Sequence, residues 1–494
     1  MLERPMAIVE FRCRCEGPTL PLPHVWEHTV GSDHALMALR AEYQAQLLRC
    51  HEELGFRHVR FHGLLCDDVG TLTCQLDHYV YSFFNADQIW DFILSIGMRP
   101  FVELSFMPEA LASGRATVFR YKGNVTPPRD FRLWAKLIRK LVRHWVDRYG
   151  VGEVRSWFFE VWNEPNLPAF WRGTRAQYFS LYERTAAEIK QVDAQLQVGG
   201  PASAKNEWIE EFLEFCERRT LPADFVSTHH YPTDAFGTVD ADTEAQLANS
   251  RRSVLREQAQ DARRRAGGRP LFYTEWNTSS NPRDSLHDEP YSAAFIIKTA
   301  MEANGLVDAY SFWTFSDLFE ENYFPSVPFH GGFGLLTIHG LAKPAYRAFQ
   351  LLHRLGTELI VPMDGMHLTV DAWVVRGKGG LTVLLTNHAL PRHAIGSARV
   401  RVRLSDAPRP TAAHVERIDD QHANAKRCWM EMGKPAHLGP SELSALHQAS
   451  LLAPQALPFR YHERTLDLEL ELPPHGVAAV TVQLEAAPDA MSPQ

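Results

Sequence analysis

The chain has 494 residues, 45% apolar and 22% charged, with a formal net charge of −8 and a pI near 6.3. Such a length exceeds one ordinary domain, so a large domain with a smaller companion is expected. The acidic balance supplies no basic field for nucleic acid or an anionic membrane surface, and no run of about 18 apolar residues is present to span a bilayer.

Residues 5–15 contain a short apolar strand, Met6-Ala7-Ile8-Val9-Glu10-Phe11, that precedes the main repeat and belongs to another layer. From about residue 24, strands and helices alternate, with the first strand placed near His24-Val25-Trp26. Tyr43, Leu47, Cys50 and Leu54 share one helix face, which Gly55 closes. Strand two covers 56–61 and runs into His62-Gly63; strand three covers 99–104, after a helix around 87–96. The long loop 106–130 carries Phe119 and is of the kind that shapes a site. A helix over 130–149 has a stripe of Trp134, Ile138, Leu141 and Trp145, read as core. Strand four begins at Trp157 and leads into Trp162-Asn163-Glu164-Pro165-Asn166, where Pro165 should end it. A helix capped by Thr174, strand five over 196–200 and a helix over 206–219 follow. Strand six covers 224–228 and ends in His229-His230-Tyr231-Pro232. A polar helix over 241–266 mixes Arg251-Arg252 and Arg263-Arg264-Arg265 with Glu257 and Asp261, which reads as a solvated face. Strand seven covers 270–277 with Glu275, and strand eight covers 308–313, with a helix over 291–304 between them. The loop 314–340 holds Asp317, Glu320, Glu321 and Gly331-Gly332-Phe333-Gly334, and a helix over 343–355 closes this part.

Eight such units over about 330 residues predict a (β/α)8 TIM barrel. A doubly wound sheet would bring a phosphate-binding glycine loop after its first strand, and none is there. Beyond Gly356, period-two segments at 368–375, 381–385, 398–404, 466–470 and 478–484 predict an accessory antiparallel β-sandwich, which residues 6–11 could join. The expected division is a barrel at 16–355, a sandwich domain from 1–15 and 356–485, and a flexible tail at 486–494. The seven cysteines (Cys13, Cys15, Cys50, Cys66, Cys74, Cys216, Cys428) are odd in number and scattered, which suits unpaired thiols in a reducing compartment. Residues 1–25 lack an apolar core behind a basic start, so a cytoplasmic protein is expected, or a periplasmic one whose signal was removed. A homo-oligomer is compatible with the sequence.

Glu164 and Glu275 close two apolar strands and lie 111 positions apart, about three βα units, which puts them across the barrel mouth from each other. Two carboxylates facing one cleft are the minimal equipment for glycoside hydrolysis. Among Trp162, Phe170 and Trp171, desolvation should raise the Glu164 pKa and suit it to act as an acid. Near Tyr273, Trp276 and Asn277, a hydrogen-bonded Glu275 would attack as the nucleophile. Alternation lets only one of His229 and His230 face the cleft, so the pair is no metal site.

The stretch Trp162-Asn163-Glu164-Pro165-Asn166 resembles the acid/base motif of the clan A glycoside hydrolases, and Glu275 resembles their nucleophile. The resemblance sharpens to glycoside hydrolase family 39 and its bacterial β-xylosidases. It is carried by His62-Gly63-Leu64-Leu65-Cys66-Asp67-Asp68, Val118-Phe119, Lys122-Gly123-Asn124-Val125-Thr126-Pro127-Pro128 and Phe312-Trp313-Thr314-Phe315-Ser316-Asp317. Pro328-Phe329-His330-Gly331-Gly332-Phe333-Gly334-Leu335 and Ile418-Asp419-Asp420-Gln421-His422-Ala423-Asn424 extend it over nearly the whole chain. It implies an exo-acting, retaining β-xylosidase that cleaves xylo-oligosaccharides through a covalent xylosyl-enzyme, with no cofactor or metal. It further implies that Asn163 holds the sugar 2-hydroxyl, that His62, His229, Tyr231, Trp313 and Glu321 line the subsite for the non-reducing xylose, and that Phe119 and Phe170 are hydrophobic walls. Glu320 competes with Glu321 on spacing alone. The alternatives are an α-L-arabinosidase, an α-L-iduronidase-like activity, which would want extra cationic groups, and a non-catalytic sugar-binding protein, which needs neither glutamate.

Overall fold

The computed structural model describes residues 8–76, 78–232, 242–322 and 324–485. The start of the expected first strand and the tail at 486–494 lie outside the described residues. Eight parallel strands close into a barrel: β1 (Thr29–His34), β2 (His58–His62), β3 (Arg99–Glu103), β4 (Phe158–Glu160), β5 (Gln197–Ala204), β6 (Phe225–His229), β7 (Leu271–Trp276) and β8 (Ala309–Phe312). Closure is made by β8 on β1, through Phe312 and Val30. β2, β6 and β7 are buried along their whole length, as strands wrapped by an outer ring of helices must be.

The helices begin and end where their local chemistry dictates. Ala41–Leu54 stops at Gly55, whose φ of 75° needs no Cβ. Phe131–Tyr149 starts at Asp130, which accepts the Arg132 N–H at 2.8 Å. Thr174 and Gln177 form a reciprocal capping box on Arg175–Val192.

Three expectations are corrected. The first strand is not at 24–26: Val25–Glu27 form a 3-10 turn, entered by His24 at a φ of 50°, which extended pairing does not allow. β4 ends at Glu160, short of Pro165, because the chain turns at Trp162 (φ 75°) and Glu164 (φ 41°). The polar helix is two helices, Thr243–Ala248 and Val254–Arg265. Arg252, in the gap between them, is no solvated residue. It pairs with Asp371 and donates to the carbonyls of Thr369 (2.6 Å) and His388 (2.8 Å), tying the barrel to the sandwich.

Inside the barrel, Phe101, Phe158, Phe225 and Phe272 pack with Ala309 as an apolar layer. Side chains alternate along a strand, so the next inward positions are Glu103, Glu160, Ser227 and Thr274. These four are buried, and the fully buried Arg60 of β2 joins them. An aromatic layer thus supports a polar one, and the pocket opens above it.

The sandwich has a four-stranded sheet, ordered Ile8–Arg14, Ala398–Ser405, Thr465–Leu472 and Phe459–His462. The opposing seven-stranded sheet is ordered Thr19–Pro21, Glu358–Ile360, Val370–Gly377, Gly380–Asn387, Val477–Leu484, Pro410–Ile418 and Gln455–Ala456. Val400, Val402 and Leu404 face inward, while Arg401 and Arg403 pair outward with Glu469 and Asp467. Ile8–Arg14 joins in parallel, beside Ala398–Ser405. Two helices, Ala425–Glu431 and Pro440–Ala449, interrupt the larger sheet between Pro410–Ile418 and Gln455–Ala456. No helix among the described residues is long and apolar enough to cross a membrane.

Candidate active site

A pocket at the C-terminal ends of the barrel strands encloses about 650 Å³, open mouth included. Its lining includes His62, Phe119, Asn163, Glu164, Phe170, Tyr231, Glu275, Trp313 and Glu321. These are all the sequence-predicted residues except His229, which is fully buried and does not line the pocket. Its ring packs against Glu164 instead, with Nδ1 within hydrogen-bond reach of that carboxyl.

Arg60 is a site residue that sequence reasoning missed. Its Nε donates to Glu160 at 2.6 Å, Nη1 to Glu275 at 2.7 Å, and Nη2 to Asn163 Oδ1 at 3.0 Å. Glu103 lies 2.8 Å from the same Nη2. A planar fork of donors can serve several acceptors at once, which an ammonium could not do in this geometry. Three carboxyls, Glu103, Glu160 and Glu275, thus share one guanidinium in a buried layer. Burial, opposed by Arg60 and reinforced by Glu103, holds Glu160 above the ordinary carboxyl range. At Glu103 burial also disfavours ionisation, but His62 and Arg60 outweigh it and hold that carboxyl low. Arg60, Glu103 and Glu160 are charged residues at inward, buried positions of their strands, an arrangement that only the closed barrel makes evident.

Glu275 accepts from Arg60 on one oxygen and from the Tyr231 hydroxyl on the other, the latter at 2.9 Å. Burial, then the Glu275 charge, pushes the Tyr231 phenol well up, so it remains a donor. The neighbours expected from sequence point elsewhere: the Trp276 ring stacks on Tyr310 at 4.3 Å, in the core outside the barrel. Around Glu164, Phe170 lines the pocket, while Trp162 donates to the Phe170 carbonyl at 2.8 Å and packs edge-on to Trp171 behind it. His229 Nδ1 lies 3.0 Å from Glu164, and its Nε2 lies 3.1 Å from Thr274 Oγ1. Burial, then Arg60 and His62, drives its pKa well down, so the ring is neutral.

Glu320 and Glu321 separate cleanly. Glu320 pairs with Arg40 at 2.7 Å and Arg120 at 3.6 Å, and is absent from the lining. Glu321 lines the pocket, 3.5 Å from His62 Nε2, with its Oε1 buried and without a hydrogen-bond partner among the described residues. Burial, then Asp33 and Glu275, pushes its pKa well up. Phe119 and Phe170, with centroids 5.5 Å apart, form one wall. Trp313 and Phe333 belong to another, and Phe333 was hidden from sequence reading within a glycine run.

Glu164, His229 and Glu275 each place a donor atom within 4.8 Å of the others, a spacing that a small cation could use. The Arg60 guanidinium, already bonded to Glu275, opposes a second positive charge there.

The family model for glycosyl hydrolases family 39 matches residues 10–461. The chain belongs to that family. It is 46% identical over 463 residues to a β-xylosidase of Caldicellulosiruptor saccharolyticus, covering 93% of this chain and 95% of that protein. It is 39% identical over 426 residues to a β-xylosidase of Geobacillus stearothermophilus, covering 83% of each. The structure of a GH39 β-xylosidase from Caulobacter crescentus superposes with a TM-score of 0.80 at 34% identity, over 97% of this chain and 100% of that one.

Proposed function

We propose that this family 39 glycosidase is an exo-acting, retaining β-xylosidase that releases xylose from the non-reducing end of xylo-oligosaccharides, with Glu275 as nucleophile and Glu164 as acid/base. The observation that carries the mechanism is the approach of the two carboxyls, with oxygens within 4.8 Å of each other. Carboxyls about 5 Å apart suit direct attack on the sugar, whereas inversion needs about 6.5 Å or more to admit a water. Both Glu275 oxygens accept hydrogen bonds, which suits the carboxylate form that attacks the anomeric carbon.

Glu164 gives its proton to the leaving oxygen as that bond breaks. A water, deprotonated by Glu164, then opens the ester on Glu275 and regenerates both groups. Arg60 occupies Asn163 Oδ1, which leaves the amide NH2 to donate to the sugar 2-hydroxyl. Trp313 and the phenylalanines supply apolar faces for the ring, and the closed floor of the pocket favours a chain end over a chain interior.

The β-xylosidase names of the two curated relatives support the sugar assignment. The lining supports it too: Glu164, Glu275 and Glu321 face it with Lys205, a poor reception for a uronate. Aryl β-xyloside, α-arabinopyranoside, α-arabinofuranoside and α-iduronide are the test panel. Chief turnover of the β-xyloside supports the reading, and preference for another glycoside overturns the substrate. Glu275→Ala should abolish turnover and regain it with azide, giving the inverted azide adduct. Near-normal turnover would remove Glu275 from its role.

A further inference from the structure

The Ile418–Asn424 stretch matched the family in sequence but has no part in the chemistry above. Here Ile418 ends a sandwich strand. The Asp419 carboxylate then accepts from the N–H of Gln421 (2.8 Å), the N–H of His422 (3.0 Å) and His422 Nδ1 (2.8 Å). Asn424 caps the helix Ala425–Glu431 by accepting the Arg427 N–H at 3.1 Å. The motif is therefore a turn that launches a helical insertion out of the sandwich.

That insertion lands on two loops of the active face. Trp429 is buried against Phe329, with ring centroids 5.5 Å apart, in a cluster completed by Leu341, Ala425 and Leu446. Its indole N–H is held by the Pro435 carbonyl at 2.9 Å. Lys426 donates to the Ser285 carbonyl at 3.3 Å and pairs with Glu289, both in the loop after β7. Behind the insertion, buried Arg347 of the last barrel helix donates to the Ser450 carbonyl at 2.6 Å.

The two loops are cross-braced to each other. The Gly331 N–H donates to Asp288 at 2.7 Å, and the Gly331 carbonyl lies 2.9 Å from His287 Nδ1. Gly331 has a φ of 81°, and a Cβ there would meet the Asp284 carbonyl at 2.8 Å, so nothing larger fits. Fully buried Lys343 pairs with Asp288 at 2.7 Å and Asp317 at 2.6 Å and donates to the Gly332 carbonyl at 2.9 Å. Asp317 in turn accepts the Gly334 N–H at 2.8 Å. Between these glycines stands Phe333, packed on Phe319 at 5.5 Å and exposed to the pocket. Ser280 and Pro282 of the other loop line the same pocket.

We infer that the helical insertion is a positioning device for the pocket wall: Trp429 and Lys426 hold the loops that present Phe333, Ser280 and Pro282 to the sugar. The inference rests on the glycosidase reading above and gives the sandwich a part in substrate binding. Neither Trp429 nor Lys426 is among the residues that line the pocket; they act through Phe329 and the loop after β7. A wall that packs on substrate and transition state alike affects KM more than kcat.

The test is Trp429→Ala, Trp429→Phe and Lys426→Ala in the full chain, with steady-state kinetics on an aryl β-xyloside and hydrogen exchange followed over residues 327–334. Trp429→Ala should raise KM about 5-fold or more with kcat within about 2-fold, Trp429→Phe should restore most of it, and Lys426→Ala should shift KM the same way by less. Exchange over 327–334 should quicken in step. Should Trp429→Ala not fold, Lys426→Ala carries the same test. A folded variant with unchanged KM, or unchanged exchange over 327–334, overturns the inference. If the wild type leaves the β-xyloside untouched, the function fails instead, and the exchange comparison still decides the buttress.

Discussion

Replacing Arg60 with methionine should make both stability and activity depend on pH more steeply than in the wild type. The change keeps an unbranched apolar stem and removes the guanidinium from Glu103, Glu160 and Glu275. Removing one partner of a buried ion pair costs about 3–5 kcal/mol, because the charges left behind are no longer compensated. The remaining carboxyls relieve part of that cost by taking up protons, at about 1.4 kcal/mol for each unit of pKa. Glu160, which burial already holds above the ordinary carboxyl range against the opposition of Arg60, is then held higher still. A carboxyl raised in this way binds its proton more tightly when folded, so stability falls as pH increases from the unfolded pKa toward the folded one. Urea melts should show Arg60→Met closest to the wild type near pH 4–5 and most destabilised near pH 8, approaching the ~3–5 kcal/mol of the uncompensated pair. The acid limb of kcat/KM should move upward, because the site loses the cation that favours its ionised carboxylates. A variant with wild-type stability at pH 8 and an unmoved acid limb would refute the charge balance described for this layer.

Glu164→Ala should slow xylosides with poor leaving groups by about 10²–10⁴-fold and spare those with good ones, read from kcat/KM across a series of aryl leaving groups. Tyr231→Phe removes the 2.9 Å hydroxyl donor from Glu275; the acid limb should rise by about one to two pH units, from the ~1.5–3 kcal/mol of a hydrogen bond to a charged group. Glu321→Gln addresses a carboxyl whose folded pKa is raised first by burial and then by Asp33 and Glu275. The wild type must lose stability as pH rises above about 4.3, and the glutamine variant lacks that loss, so its melting temperature relative to wild type should climb from pH 4 to pH 8.

The alternation of strand and helix was legible because the apolar period switches repeatedly between continuous runs and helical stripes, as at Trp134, Ile138, Leu141 and Trp145. Glu164 and Glu275 stood out because each follows an apolar run at a strand end. The inward polar layer was not legible in the same way. Arg60 sits in His58-Val59-Arg60-Phe61-His62, where alternation reads as half-exposed, yet the closed barrel buries both faces. His229 was placed on the correct face but in the pocket lining, whereas it is fully buried against Glu164 and Thr274, a depth that alternation along one strand does not report. The strand Pro410–Ile418 escaped notice because its proline, alanines and charges show no clean period of two. The role of the helical insertion required tertiary contacts, because Trp429 and Phe329 lie 100 positions apart.

The most direct test of the account is to trap the intermediate. The protein is inactivated with a 2-deoxy-2-fluoro-β-xyloside bearing a good leaving group, digested, and the labelled peptide sequenced by mass spectrometry. One fluoroxylosyl group per chain, on Glu275, is the result expected of a retaining xylosidase built as described. A label on another residue, or rapid turnover of β-xyloside giving α-xylose first with no label at all, would contradict it.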